Sequence, residues 1–412
     1  MKDTGLICTV CGAEYPMGPM FHGCPSCQET GTVGALTVTY DYDAIRRGFD
    51  LETWSPNWHS IWRFRDLLPV QDSACQITLG ESDTGLIRPR RLQETTGLSH
   101  LYIKNETTNP TWAFKDRFHA VSISMAKELG YTRVTASTTG NHGASAAAYS
   151  AAAGMDSCVI LCHPESSELQ RNMIRLYGGH AYVLNDRFQY LDRLITEYGF
   201  YPSTTMEPMP MGTPFGIEGY KTIAFEIYLQ LARNLPDHMF CPIAAGDSLY
   251  GPWKGFGELK KLGLTDTLPV MHGVQPAGCN PYVRSFQENS PVVMVHPDPQ
   301  SIALSIRDDV GGRPALQAMY DSEGDATDVT DDEIVEAVKL LAHSGILVEP
   351  SSAASVAGAI KAAAEGRIKS DETVVCLVTG SGAKWPEVMA DLVDEPASIE
   401  PSWETIRTEV GL

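Results

Sequence analysis

The sequence predicts an α/β protein: two lobes built on parallel sheets, preceded by a small cysteine-held module. Two features of the chain after residue 100 point to the lobes. Short β-rich runs alternate with helix-like stretches, and those runs are mostly apolar rather than alternating. Strands that are apolar on both faces belong to parallel sheets covered by helices on both sides. The third observation is at the other end, where four cysteines crowd into the first 27 residues.

Cys8, Cys11, Cys24 and Cys27 form a C-x2-C-x12-C-x2-C array with Gly12 and Pro25 in its turns. Two such pairs suit a tetrahedral metal held by two tight turns, so residues 1–40 read as a zinc-ribbon-like module closed by an alternating strand at 35–40. Four thiolates leave no open coordination position, which makes zinc there structural, folding a knuckle too small for its own core. Two disulfides or four idle thiols are the alternatives, and a cytosolic chain disfavours the first. An arm at 41–100 follows, with Trp54, Trp58 and Trp62, and begins the larger lobe. Strands are expected at 101–104, 132–136, 157–162 and 181–184, helices at 144–153 and 167–177, and a smaller lobe over 101–240. The rhythm resumes at 239–243, 270–274 and 374–378, giving the larger lobe over 241–412. The acidic stretch 321–333 reads as a solvated loop leading into a helix.

Charge narrows the function classes. With 31 basic and 51 acidic residues the net charge is −20, which repels polyanions and argues against nucleic-acid binding. No apolar run reaches membrane-spanning length, and the first residues lead into the cysteine pair rather than a signal peptide. A cytoplasmic protein acting on a small molecule is expected.

Four segments carry chemistry. Asn109-Pro110-Thr111-Trp112-Ala113-Phe114-Lys115-Asp116-Arg117 sets Lys115 beside an aromatic ring where an apolar helix begins. A lysine desolvated there has a lowered pKa, and its neutral amine can hold a carbonyl as a Schiff base. A solvated lysine in a first helical turn is the plainer alternative. Ser137-Thr138-Thr139-Gly140-Asn141-His142-Gly143 follows a strand and opens an alanine-rich helix, a ready site for a carboxylate or phosphate. Ala245-Gly246-Asp247-Ser248 lies in a second small-residue turn, where backbone amides can approach a phosphate if the Asp247 carboxylate turns away. Thr379-Gly380-Ser381-Gly382 caps the last apolar strand, where a hydroxyl can meet a ring nitrogen without adding charge.

In this order the four segments resemble the tryptophan-synthase-β-like (fold type II) pyridoxal-phosphate enzymes, and among them the threonine synthase-like members. Arg63-Phe64-Arg65-Asp66-Leu67-Leu68-Pro69, Glu218-Gly219, Lys221-Thr222 and Trp253-Lys254-Gly255-Phe256 extend the likeness over most of the chain. The resemblance implies pyridoxal 5'-phosphate carried by Lys115, which would also shuttle protons at the substrate's α and β carbons. It implies Asn141 on the cofactor's 3-hydroxyl, backbone amides of Ala245, Gly246, Asp247 and Ser248 on its phosphate, and Thr379 at the pyridine nitrogen. Thr138 and Thr139 would bind the substrate carboxylate, with His142 beside them, and a homodimer is usual in this fold.

Departures from the family pattern concern the substrate. An arginine suited to the substrate's own phosphate is usual where this chain has Gly216, and that is not a conservative change. His142 resembles serine/threonine dehydratases, Ser381 stands where a histidine is usual, and Trp112-Ala113 replaces Gly-Ser, so Trp112 is expected to narrow the pocket. The resemblance therefore implies elimination or replacement on an amino acid, with O-phosphohomoserine and water giving threonine and phosphate. A dehydratase-type ammonia-lyase, or a β-replacement enzyme acting through an aminoacrylate, stays open. From another class comes a zinc-ribbon binding protein on a silent scaffold, which an intact Lys115 opposes.

Overall fold

Strands apolar on both faces need helices on both sides, and the computed structural model of the protein has two sheets built in this way. It describes residues 4–54, 60–206, 209, 211–394 and 402–411, so Trp58 lies outside the described residues. The chain opens with β1 (Thr4–Cys8), β2 (Glu14–Pro16) and β3 (Leu36–Tyr40), an antiparallel sheet in the order β2-β1-β3. β3 alternates as its sequence demands, burying Leu36, Val38 and Tyr40. The buried edge of this small sheet belongs to the main core. Tyr40 Oη donates to Glu218 Oε2 at 2.6 Å, and Lys254 Nζ donates to Val38 O at 2.6 Å and Thr37 Oγ1 at 2.9 Å. Phe21 packs edge-on against Tyr201 and Phe215.

The remaining strands are β4 (Leu86–Ile87), β5 (His100–Asn105), β6 (Arg133–Thr138), β7 (Ser157–Cys162), β8 (His180–Val183), β9 (Tyr201–Pro202), β10 (His238–Pro242), β11 (Val270–Pro276), β12 (Asp325–Val329) and β13 (Thr373–Val378). The larger sheet runs β12-β11-β10-β13-β5-β4, parallel except for β4; the smaller runs β8-β7-β6-β9, parallel throughout. Two expectations change here. β5, grouped by sequence with the smaller lobe, pairs along its whole length with β13 in the larger sheet. Its partner lies more than 250 residues away, beyond the reach of local pattern. The acidic stretch 321–333 is not all loop, because β12 occupies its centre as an edge strand beside β11. An edge tolerates carboxylates that a central strand would not: Asp325 pairs with Arg367 at 2.7 Å and lies 2.8 Å from His272 Nδ1. The helix expected after it starts with a Thr330–Glu333 capping box.

Among the described residues no helix is long and apolar enough to cross a membrane. The loops that leave the carboxyl ends of β5, β6, β10 and β13 converge between the two sheets, where open α/β folds place their ligands.

Candidate active site

These loops enclose a cavity of about 980 Å³, and Lys115 stands at its wall. Lys115 is the first residue of the helix Lys115–Glu128. Its Nζ lies 4.5 Å from the centre of the Phe114 ring and 5.6 Å from that of Tyr220, two rings that stack on each other. Among the described residues no acceptor meets Nζ. Burial drives the amine's pKa down, while the carboxylates of Asp247, Asp308 and Glu349 pull the other way. The result is an amine closer to its neutral, nucleophilic form.

The lysine loop is fixed from both sides. Asp116 accepts from Thr111 N, Thr111 Oγ1 and Ser145 Oγ, each at 2.6 Å. Phe114 N donates to Thr379 O at 2.8 Å, Ser381 N to Trp112 O at 3.0 Å, and Lys384 Nζ to Thr111 O at 2.7 Å. Lys115 and Thr379 are thereby stitched together across the larger sheet. Trp112 does not narrow the cavity as expected. Its backbone sits in the left-handed region at φ 63° and its side chain is 44% exposed, away from the cavity wall.

On the facing side, Thr138 Oγ1 accepts from Gly140 N and Gly143 N, both at 2.8 Å, which leaves its own O–H to donate. Thr139 lies beside it in the wall. Asn141 is held at both ends: Nδ2 donates to the two Glu349 oxygens at 2.9 and 2.7 Å, and Oδ1 accepts from Gln170 Nε2 at 3.0 Å. His142 Nε2 lies 2.6 Å from Ser203 O. Burial, reinforced by His119 and Lys115, holds His142 far below the usual imidazole range, so it is neutral.

Gly246 opens the helix Asp247–Lys261 with φ 106°, and a Cβ there would meet Ala315 Cβ and Tyr282 Oη at 2.4 Å. Only glycine fits, and it brings Ala245 and the orphan first-turn amides to the cavity as an anion cradle, with Ser248 in the same wall. The Asp247 carboxylate turns to Gly212 N at 3.1 Å. Burial raises its pKa to about 6, against the opposing pull of Lys115 and the Gly212 amide. Thr379 Oγ1 sits 2.9 Å from Ser352 Oγ at the cavity's inner wall. Gly216 is packed so that a Cβ would fall 2.2 Å from the Phe118 ring. No arginine can be accommodated there.

The cavity accepts pyridoxal phosphate on its own terms: a free amine, an amide cradle, a buried hydroxyl and a volume within the usual range for ligand sites. The four cysteines also converge. Their Sγ atoms all lie within 4.8 Å of one another, with Cys8–Cys27 and Cys11–Cys24 at 3.6 Å. That is far beyond a disulfide and close to the edge of about 3.8 Å that a tetrahedron with Zn–S bonds of about 2.3 Å would have. Gly34 rests on the cluster, since a Cβ would lie 2.7 Å from Cys27 Sγ. Its neighbours Gly31, Thr32, Val33 and Ala35 line the cavity, so the cysteine module forms part of that wall.

Sequence reasoning missed Glu349, Gln170, His119 and Arg187. Glu349 had a signal: Pro350 starts the alanine-rich helix Pro350–Ala364, a further turn into a helix like those of the anion loops. His119, its ring tilted against His142 and bonded to Ser145 Oγ, had none.

The fold and this site define a pyridoxal-phosphate-dependent enzyme, and the family described as "Pyridoxal-phosphate dependent enzyme" matches residues 77–380. Solved structures agree on the fold: the processed form of threonine deaminase isoform 2 from Solanum lycopersicum (TM-score 0.64, 20% identity, 81% of this chain and 94% of that one) and maize serine racemase (TM-score 0.61, 20% identity, 75% and 92%). Within that class the chain belongs to the threonine synthase family. It is 37% identical over 400 residues to the threonine synthase of Methanocaldococcus jannaschii, covering 95% of this chain and 96% of that one. It is 36% identical over 408 residues to that of Methanosarcina acetivorans, covering 98% of each.

Proposed function

We propose that the protein is a pyridoxal-phosphate-dependent lyase of the threonine synthase type, converting O-phosphohomoserine and water to threonine and phosphate. The observation that carries this is Lys115: an amine that meets no acceptor among the described residues, at the wall of a large cavity, opposite an anion loop. Bound pyridoxal phosphate supplies an electron sink for charge developing at the substrate's α carbon. Lys115 holds the cofactor and then moves protons at the α and β carbons. Thr138 and Thr139 orient the substrate carboxylate. Asn141, fixed by Glu349 and Gln170, faces the cofactor's 3-hydroxyl, the amides of Ala245 to Ser248 take its phosphate, and Thr379 meets the ring nitrogen. Neutral His142 sits beside the substrate as a hydrogen-bonding wall. Zinc held by Cys8, Cys11, Cys24 and Cys27 fixes the module's loop against the cavity. The enzyme is taken as cytoplasmic and homodimeric.

Gly216, sealed by Phe118, supports a second reading: a dehydratase-type ammonia-lyase or a β-replacement enzyme. Phosphate release from O-phosphohomoserine, measured against keto-acid formation from serine and threonine, separates the two. Keto acid alone would overturn the synthase reading.

A further inference from the structure

The cavity holds cations besides Lys115, and they are not equivalent. Arg307 is committed, with Nη2 on Glu165 at 2.5 Å and Nη1 on Ser301 O at 3.4 Å. Arg313 opens the helix Arg313–Asp321, next to Gly312, whose N–H donates to Ala245 O at 2.8 Å beside the Gly246 turn. Arg187 differs from both. It lies between β8 and the helix Phe188–Thr196, on the smaller sheet, and lines the cavity with Ser137, His163 and Thr204. Its Nε donates to Ser137 Oγ at 2.9 Å, which orients the guanidinium next to Thr138. Its Nη1 is buried without a hydrogen-bond partner among the described residues. Among the described residues no carboxylate lies within ion-pairing distance of it; Asp308 is the nearest acid that acts on it electrostatically.

A buried guanidinium N–H left unmet is costly, and it is retained where something else completes it. Resting on the reading above, in which the substrate's side chain carries a phosphate monoester, we infer that Arg187 is the guanidinium that binds this distal phosphate, in place of the arginine that Phe118 excludes at position 216. The carboxylate would then sit on Thr138 and Thr139, with the distal phosphate toward Arg187 and Ser137, both groups read by loops of the smaller sheet. The fork geometry suits a phosphate through paired N–H donors, which a lysine cannot reproduce.

The test uses the holoenzyme with Arg187→Ala and Arg187→Lys, and two readouts. The first is KM and kcat for O-phosphohomoserine by phosphate release. The second is the rise in Tm caused by millimolar inorganic phosphate, which does not depend on turnover. Arg187→Ala should raise KM about 10- to 100-fold, the usual loss of a charge-assisted pair, with a smaller change in kcat and the cofactor's visible band intact. It should abolish the phosphate-induced rise in Tm, and Arg187→Lys should restore only part of both. An unchanged KM with an unchanged phosphate effect overturns the inference, and so does equal loss of the visible band in both variants. If wild-type protein leaves O-phosphohomoserine untouched yet is protected by inorganic phosphate through Arg187, the inference stands and the synthase reading falls. Turnover with an Arg187-independent KM does the reverse: the synthase reading stands and the inference falls.

Discussion

Two regions of this molecule each set a lysine and an arginine away from bulk solvent, and the two pairs behave in opposite ways. In the first, Lys104, Arg117, Glu106 and Glu226 form a knot between β5 and the helix Pro214–Gln230. Lys104 Nζ donates to Thr84 O at 2.8 Å, Glu226 Oε2 at 2.7 Å and Gln230 Oε1 at 3.0 Å, using all three of its N–H bonds. Arg117 donates to both Glu106 oxygens, both Glu226 oxygens, Thr84 and Thr222. In the second region, the cavity, among the described residues Lys115 meets ring faces and no acceptor, and Arg187 Nη1 has no partner. Burial alone therefore does not mark a reactive cation. What separates Lys115 from Lys104, eleven positions earlier, is unmet hydrogen-bonding capacity. The knot spends its charges on holding β5 to its helix, whereas the cavity keeps its charges for a ligand.

Substitutions should expose that contrast. The largest effect is expected at Lys115: Lys115→Ala should lower activity by about 10³-fold or more and remove the visible absorption of the holoenzyme while leaving Tm nearly unmoved. A persistent band would end the assignment. Next is Glu226→Ala, which takes from buried Lys104 its carboxylate partner and leaves Arg117 with Glu106, and should cost about 3–5 kcal/mol in urea unfolding; a loss below about 1 kcal/mol would mean that the knot is not what holds β5. Third, stripping the proposed zinc with a chelator should raise KM about tenfold, because loop 31–35 would shift at the cavity wall and small misplacements are costly. Metal content and KM measured on the same sample decide it, and a KM that ignores the metal would separate module from site.

The smallest effect concerns pH, where the two regions differ in sign. Burial alone would raise Glu226, but Arg117 and Lys104 outweigh it and hold the carboxyl well below its usual range. Its contribution to stability is thus present above the ordinary carboxylate pKa and lost as pH falls. Asp308 is the reverse: burial raises it to about 6, with Lys115 opposing and Asp309 adding to the rise. Its contribution is complete below the ordinary aspartate pKa of 3.8 and is lost as pH rises through about 6. Asp308→Asn should therefore raise Tm relative to wild type at about pH 7 and not at about pH 4. Equal shifts at both would refute the assignment.

Much of this was legible in the sequence, for a definable reason. β7, β10 and β13 were expected because each is a largely apolar run and β6 because it is a short β-rich one, and Lys115, Thr138, Asn141, Gly246 and Thr379 because each sits in a turn whose composition suits its chemistry. The partners of those residues were not. Glu349 reaches Asn141 across 208 positions and Arg117 reaches Glu226 across 109, and no local pattern encodes such pairings. Trp112 misled because its side-chain direction depends on one backbone angle. β12 was hidden because its Asp residues are compensated by Arg367 and Lys361, which come from elsewhere in the chain.

Three of the loops assigned to the cofactor leave one sheet: Lys115 follows β5, Gly246 follows β10 and Thr379 follows β13, while Asn141, after β6, reaches it from the other. The loops assigned to the substrate, with Thr138 after β6 and Arg187 after β8, leave the other. The backbone bonds from Phe114 to Thr379 and from Ser381 to Trp112 make the first set a single mechanical part, much as a vice holds a workpiece. A tilt of the smaller sheet would open or close the mouth of the cavity without loosening that grip. On the roles proposed above, most of the grip on the cofactor would stay with one sheet, and Asn141 would be the cofactor contact that moves with the substrate's loops.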